Sequence, residues 1–430
     1  MSLPRSAVLR RFADLEGPGG WLVNAVIVAY VVGTTWWRVV PIGPGVGFLP
    51  VWTLVVIGLV GMAQAFASRS GRLLAPLEVA PLLALPGCLL TDITMIYQPL
   101  RDLGIYLKAG NHFLAGQPVY ITAPLHARPD DLSNYPFLYP PLTLPLFGLL
   151  SALPEIVAQV MWVAASVALG IVAVRAMGLR WRWAILSLLW PPMFQGLLVG
   201  NVAVPALALF ALAPAFGSGL VVAAIFKSYT GVTGLWLVRE RRWVDLLRGI
   251  GLVTLAAAVT LPLTGVRAWQ DWIGALHLYQ LSQEFVPALY GFGLARFLPL
   301  WLFLALSAGA LVAALTRGGK DGLARLGTAT VVASPSLWGH GMLMTIPSML
   351  SLRPMLAWLA IAVATVPDGI QWWWLVAIVA ASWVLPGLRR ETASAEARPR
   401  RDSWLDPLVP GGSGPWPDPE PEIRLGTPSE

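Results

Sequence analysis

Runs of about twenty apolar residues recur along this chain, at roughly 21–40, 50–67, 74–91, 156–176, 245–264, 297–316 and 369–386. The hydrocarbon core of a bilayer takes about 20 residues of helix, and backbone that faces lipid must satisfy its own hydrogen bonds. Helices are therefore the economical way to house so many runs. Shorter or Pro/Gly-interrupted apolar stretches lie at about 137–153, 183–199, 200–215, 217–237, 322–335, 341–352 and 354–366. Broken segments of this kind are tolerated at membrane depth only where protein or a watery cavity covers them. The expectation is an all-α polytopic membrane protein of about 10 to 14 spans.

Charge patterning supplies an orientation. Only 12% of the 430 residues are charged, against about 25% in ordinary soluble domains. Basic clusters flank the spans: Arg5, Arg10 and Arg11 before the first, Arg69 and Arg72 after the second, Arg239, Arg241 and Arg242 near 240, and Arg389 and Arg390 after the last. The positive-inside rule puts all four on the cytoplasmic side, and it accounts for the formal charge of +7 without a nucleic-acid partner. Arg175, Arg180 and Arg182 would fall outside if every broken segment crossed fully; re-entrant segments would bring them back. The first apolar run is of span length with no clean small-residue cleavage site after it, so it is expected to be a retained membrane helix. One cysteine, Cys88, excludes an intrachain disulfide.

Residues 1–390 are thus expected to form one integral membrane domain. Beyond Arg390 the composition turns to Pro, Gly, Ser and acids, too poor in apolar surface to offset ordering entropy, and 391–430 is expected to be a disordered cytoplasmic tail. Two segments on the outer side are long enough to hold chemistry, about 92–136 and about 265–296. Both mix Trp and Tyr with isolated polar groups, as interfacial anchors and sugar platforms alike do.

The first outer segment contains "DLGIYLKAGNHFLAGQPVY", from Asp102 to Tyr120. An ionised acid beside a bilayer is costly and persists mainly where a partner, a cavity or a function holds it. The bland alternatives are a cap on a helix beginning at Leu103, or a pair with Arg101. Tyr106, Ala109 and Gly110 share the helical face of Asp102. Gly116, Pro118, Val119 and Tyr120 then make a turn, and "YPFLYPPLTLPLFGLL" re-enters the membrane at Tyr139, Pro140 and Pro141.

Asp102, Tyr106, Ala109, Gly116, Pro118 and Tyr120, followed by Phe137, Tyr139, Pro140 and Pro141, resemble the first outer loop of glycosyltransferase family 87, the actinobacterial GT-C-fold mannosyltransferases. "SPSLWGHG", with Ser334, Pro335, Trp338 and His340, approximates that family's late Ser-Pro, Trp and His-His signature, with Gly341 in the place of the second histidine. Gly200 and Asn201 stand where the family has G-Q-x-N, and Lys227 where it has Lys-x-x-Pro, here without the proline. The resemblance implies a GT-C-type helical bundle with short helices in its outer loops, sitting in the plasma membrane with its active site on the outer face. It implies polyprenyl-phosphate mannose as donor, a glycolipid or lipoglycan as acceptor, and substrate contacts from Tyr106, Tyr139, Asn201, Trp338 and His340.

Such a reaction needs a base near the attacking hydroxyl, and Asp102 suits that role. A single displacement inverts the anomeric centre. The departing phosphate needs cations or hydrogen-bond donors in a low-dielectric site. Lys227, inside the apolar "LVVAAIFKSYTG", is the best cation, and His340 is next. Arg296 and Arg267 are weaker candidates, and His277 with Gln280 are possible sugar contacts. No cofactor or metal is expected, the lipid-linked sugar being a substrate; Asp130 and Asp131 are expected in a solvated loop. No Walker loop, dinucleotide fingerprint or His-Glu-x-x-His occurs. The competing class is a lipid or sugar-lipid transporter or flippase, for which matched broken halves would be expected and no second lysine of the Lys227 kind is found.

Overall fold

The computed structural model describes residues 99–129, 134–179, 181–364, 372–385 and 388–389. The first three expected spans with their flanking arginines, Cys88, Asp130, Asp131, Arg180 and the tail 391–430 lie outside these residues. Among the described residues the fold is helical with no strands; pairing is limited to single bridges, Gly291 with Leu337 and Leu352 with Arg389.

The helices that position the site are α1 (Arg101–Leu114), α2 (Leu144–Ser151), α3 (Glu155–Ala176), α4 (Pro191–Leu198), α5 (Ala203–Ala211), α6 (Ser218–Phe226), α7 (Trp243–Phe285), α8 (Leu300–Leu315), α9 (Gly319–Ala333) and α10 (Trp373–Val384). By length and composition α3 and α7 are long and apolar enough to cross a bilayer. The broken stretches fold as expected of interrupted sequence. Residues 183–199 become two short helices parted before Pro191, and 217–237 become α6, a 3-10 turn and the short helix Leu235–Arg239.

Local sequence sets these boundaries. α3 starts after Pro154 with Glu155 in its first turn and ends with Arg175 in its last, both signs favoured by the helix dipole. Gly178, at φ +94°, then lets Leu179 N–H reach the Val174 carbonyl and Gly178 N–H the Arg175 carbonyl, a Schellman stop. The 22 residues of α3 rise about 33 Å, enough for the hydrocarbon core.

α7 runs for 43 residues, with Pro262 inside it and Gly265 out of helical geometry at φ 71°, ψ 158°. The break divides the expected span, 245–264, from the segment expected on the outer side, 265–296. That segment is largely helical, continuing from Val266 to Phe285, because apolar and aromatic residues recur on one side. Its buried Ala275 and Ser282 and half-buried Trp272 and Tyr279 face the protein.

Close packing fixes α1 on α2. A side chain at Gly110 would strike the Phe147 carbonyl oxygen, and one at Gly148 would come 3.1 Å from the Phe113 ring. Elsewhere Asp321 is gripped by Arg389 through both terminal guanidinium nitrogens and by Arg325 at 3.3 Å. Burial alone would raise its pKa, but hydrogen bonds and charge from the arginines outweigh that and hold the carboxyl below its ordinary value.

Candidate active site

The N-terminus of α1 and the C-terminus of α4 solve each other's unpaired backbone. A helix leaves its first N–H and last C=O groups without partners. Here Leu100 N–H donates to the Leu198 carbonyl (2.7 Å), and Asp102 and Leu103 N–H donate to Val199 (2.8 and 3.3 Å). No side chain caps α1. Asp102 lies within its first turn, so its carboxylate is not spent on capping, the first bland alternative above.

That carboxylate is buried, 7% exposed. Arg101 Nε donates to Oδ1 at 2.7 Å, and Asn201 Nδ2 donates to Oδ2 at 2.5 Å. The Asn201 Oδ1 in turn accepts from Ala203 N–H at 2.8 Å, the first residue of α5. Gly200 makes this turn possible at φ 70°; its carbonyl accepts from Trp162 Nε1 of α3 at 2.9 Å. The pair with Arg101 is therefore present, but it is one of two contacts, and the second comes from a residue 99 positions away.

Four residues along α1 from Asp102, Tyr106 is fully buried and shares a 2.9 Å hydroxyl–hydroxyl hydrogen bond with Tyr139. Its ring stacks on Phe147 at 4.9 Å and meets Trp162 edge-on at 5.8 Å. Burial first, then the neighbouring Tyr139 and Asp102, push the Tyr106 hydroxyl well above its ordinary pKa. It stays protonated, able to donate but not to serve as a base. Tyr120 donates to the Tyr139 carbonyl at 2.9 Å, and Trp272 Nε1 of α7 donates to the Leu138 carbonyl at 3.0 Å. The 137–139 strip is thereby clamped between the 102–120 segment and the C-terminal half of α7.

The segment after α9 packs on α4 as well. Leu337 is held by Tyr290 and Phe292 backbone bonds, both 3.0 Å. His340, buried at 4% exposure, donates its backbone N–H to Gln195 Oε1 at 3.1 Å and packs on Gly196, where a side chain would lie 3.3 Å from the His340 Cβ. One short helix, α4, thus braces His340 at Gln195 and Gly196 and Asp102 at its end. Arg101 closes the gap, its guanidinium 5.9 Å from the Trp338 ring centre.

Lys227 follows α6 in extended backbone, φ −145°, with its ammonium 5.6 Å from the Tyr229 ring centre. Among the described residues it has no carboxylate in salt-bridge contact, yet it is close enough for its charge to act on both Asp102 and His340.

The structure therefore brings together Asp102, Tyr106, Tyr139, Asn201, Lys227, Trp338 and His340. Arg296 is exposed and donates to the Gly291 carbonyl at 2.8 Å. His277, Gln280 and Arg267 are exposed on the C-terminal half of α7. Gln195, Trp162 and Tyr229 also belong to the site; Trp162 and Tyr229 carry no mark in the sequence, and Gln195 only its place beside Gly196, five residues before Gly200–Asn201. Beside the site, on an adjacent face of α1, a cleft of about 220 Å³ is lined by Ile105, Lys108, His112, Val119 and Tyr135.

The family model described as Glycosyltransferase family 87 matches residues 137–347. The chain belongs to that family, and the protein is a membrane glycosyltransferase. The matched region includes Tyr139, Asn201, Lys227, Trp338 and His340, while Asp102 precedes it. No curated protein and no solved structure gives a significant match.

Proposed function

We propose that the protein transfers mannose from polyprenyl-phosphate mannose to a glycolipid or lipoglycan of the cell envelope, with inversion, at the outer face of the plasma membrane. The observation that carries this reading is the buried Asp102 carboxylate at a helix end, within charge range of a lysine that has no carboxylate contact among the described residues. Asp102 takes the proton of the acceptor hydroxyl as its oxygen bonds to the anomeric carbon. The bond from that carbon to the phosphate oxygen breaks, and polyprenyl phosphate departs with the electron pair. Positive charge from Lys227, with Arg101 near by, meets the phosphate where it gains charge. The exposed apolar faces of α3 and α7 fit a lipid-borne donor, whose chain can stay in the bilayer while its head enters the site.

Purified protein incubated with radiolabelled polyprenyl-phosphate sugars and a membrane lipid extract tests the reading directly. Labelled lipid product from the mannose donor is expected, with an α-linkage from a β-linked donor. No product from any donor would count for a transporter instead. Lys227→Met keeps the apolar stem and removes the charge; it is expected to lower kcat by roughly 10²- to 10³-fold, the scale of losing one preorganised group at a developing charge. A kcat within threefold or so of the parent would take Lys227 out of the phosphate site.

A further inference from the structure

We propose that Asn201 is a positioning residue: it fixes Asp102 through Oδ2 and leaves Oδ1 as the oxygen that receives the proton. The proposal rests on the transferase reading above and deepens it.

The amide cannot face the other way. Its Oδ1 accepts from Ala203 N–H at 2.8 Å, so only the NH₂ group is left to meet Asp102, at 2.5 Å. Both side chains are buried, Asn201 at 5% and Asp102 at 7% exposure. Rotation of either would leave a buried polar group unpaired, a cost of about 1–3 kcal/mol. Oδ2 is therefore held, and through it the plane of the carboxylate.

Oδ1 differs. Its partner is Arg101, whose side chain is 18% exposed and which already spans toward the Trp338 ring. Each carboxylate oxygen offers two lone pairs and holds one N–H here. The spare site on Oδ1 adjoins the partly exposed Arg101, whereas that on Oδ2 adjoins the buried Asn201, so an incoming hydroxyl meets Oδ1. The acceptor proton goes there as the acceptor oxygen joins the anomeric carbon and the phosphate leaves with the electron pair of the broken bond. Asn201 itself neither gains nor loses a proton.

The groups that act on Asp102 come from several elements. Arg101 and Tyr106 share its helix, Tyr139 comes from the strip before α2, and Lys227 follows α6; His340 is within charge range of Arg101 and Lys227. None of these would change in an Asn201 variant.

The test is kcat and acceptor KM as functions of pH for the full-length protein and two variants, with polyprenyl-phosphate mannose as donor and the membrane lipid extract as acceptor. Asn201→Ala is expected to lower kcat about 10-fold or more with acceptor KM nearly unchanged, the pattern of a lost transition-state alignment. Asn201→Asp keeps an acceptor for Ala203 N–H but sets a second carboxylate against Oδ2. Like charges oppose ionisation, so the acidic limb of its rate profile is expected to move up by about one pH unit or more. Should Asn201→Asp fail to fold in detergent, Asn201→Ser replaces it; its hydroxyl has one proton and a shorter reach, and a smaller upward shift is expected. A raised KM with kcat intact, or a limb that stays in place in every folded variant, would overturn the positioning role while the wild type still turns over. Absence of transfer by the wild type itself would overturn the reading beneath it and the proposal together.

Discussion

Asp102→Asn is expected to remove sugar transfer by roughly 10²- to 10⁴-fold, the range of a lost general base, while the protein still folds. The substitution is isosteric and the site can absorb it. The new amide can present its oxygen to Asn201 Nδ2, preserving the buried contact, and its NH₂ then faces Arg101. That clash falls on the partly exposed side, where Arg101 can leave toward Trp338 and water. Retention volume in detergent should match the wild type, and radiolabelled product should fall below a hundredth of its yield. Transfer within about tenfold of the parent would remove Asp102 from the reaction and return it to the second bland alternative, an ion pair with Arg101.

Gly200→Val should damage both stability and activity, for a backbone reason. The residue sits at φ 70°, a region costly to any L side chain and worst for a β-branched one. Its first carbon would also lie 2.8 Å from Leu103 Cβ, inside contact distance of a side chain that is fully buried. The conformational penalty is about 1–2 kcal/mol and overpacking adds about 1–3. Relief requires α1 and α4 to separate, which moves Asp102 off Asn201. The expected result is a lower apparent midpoint in a detergent thermal ramp together with kcat reduced by an order of magnitude or more. A variant with parental midpoint and kcat would show that this junction yields freely, against the tight contact observed.

Much of the helical outline is legible in the sequence because apolar length and Pro/Gly punctuation act locally. The run at 156–176 becomes Glu155–Ala176, and the stretches 183–199 and 217–237 divide where Pro191 and Lys227 interrupt them. The segment 265–296 is less legible: Gly265 announces a break, and the one-sided recurrence through Trp272, Ala275 and Tyr279 that carries the helix on is blurred by exposed Val266, Ile273 and Leu276. Asp102 stands out as a charge beside oil, a feature of single residues. Its partners do not. Asn201 lies 99 positions away, Gln195 reaches His340 across 145, and Trp162 reaches Gly200 across 38. Contacts of that span follow from how helix ends meet in space, and neither periodicity nor composition encodes them. Arg101 was visible as a neighbour of Asp102, but its reach to Trp338 was not, since it depends on where the segment after α9 comes to rest.

The junction of Leu198 and Val199 with Leu100, Asp102 and Leu103 is written in main-chain atoms. A pin of that kind reads shape and is blind to side-chain chemistry at the residues that lend it their carbonyls. Related chains could drift widely at 198 and 199 and still deliver the acid to the same spot, while position 200 would stay frozen. Comparing substitutions only at acidic and basic positions would overlook what keeps this enzyme in register.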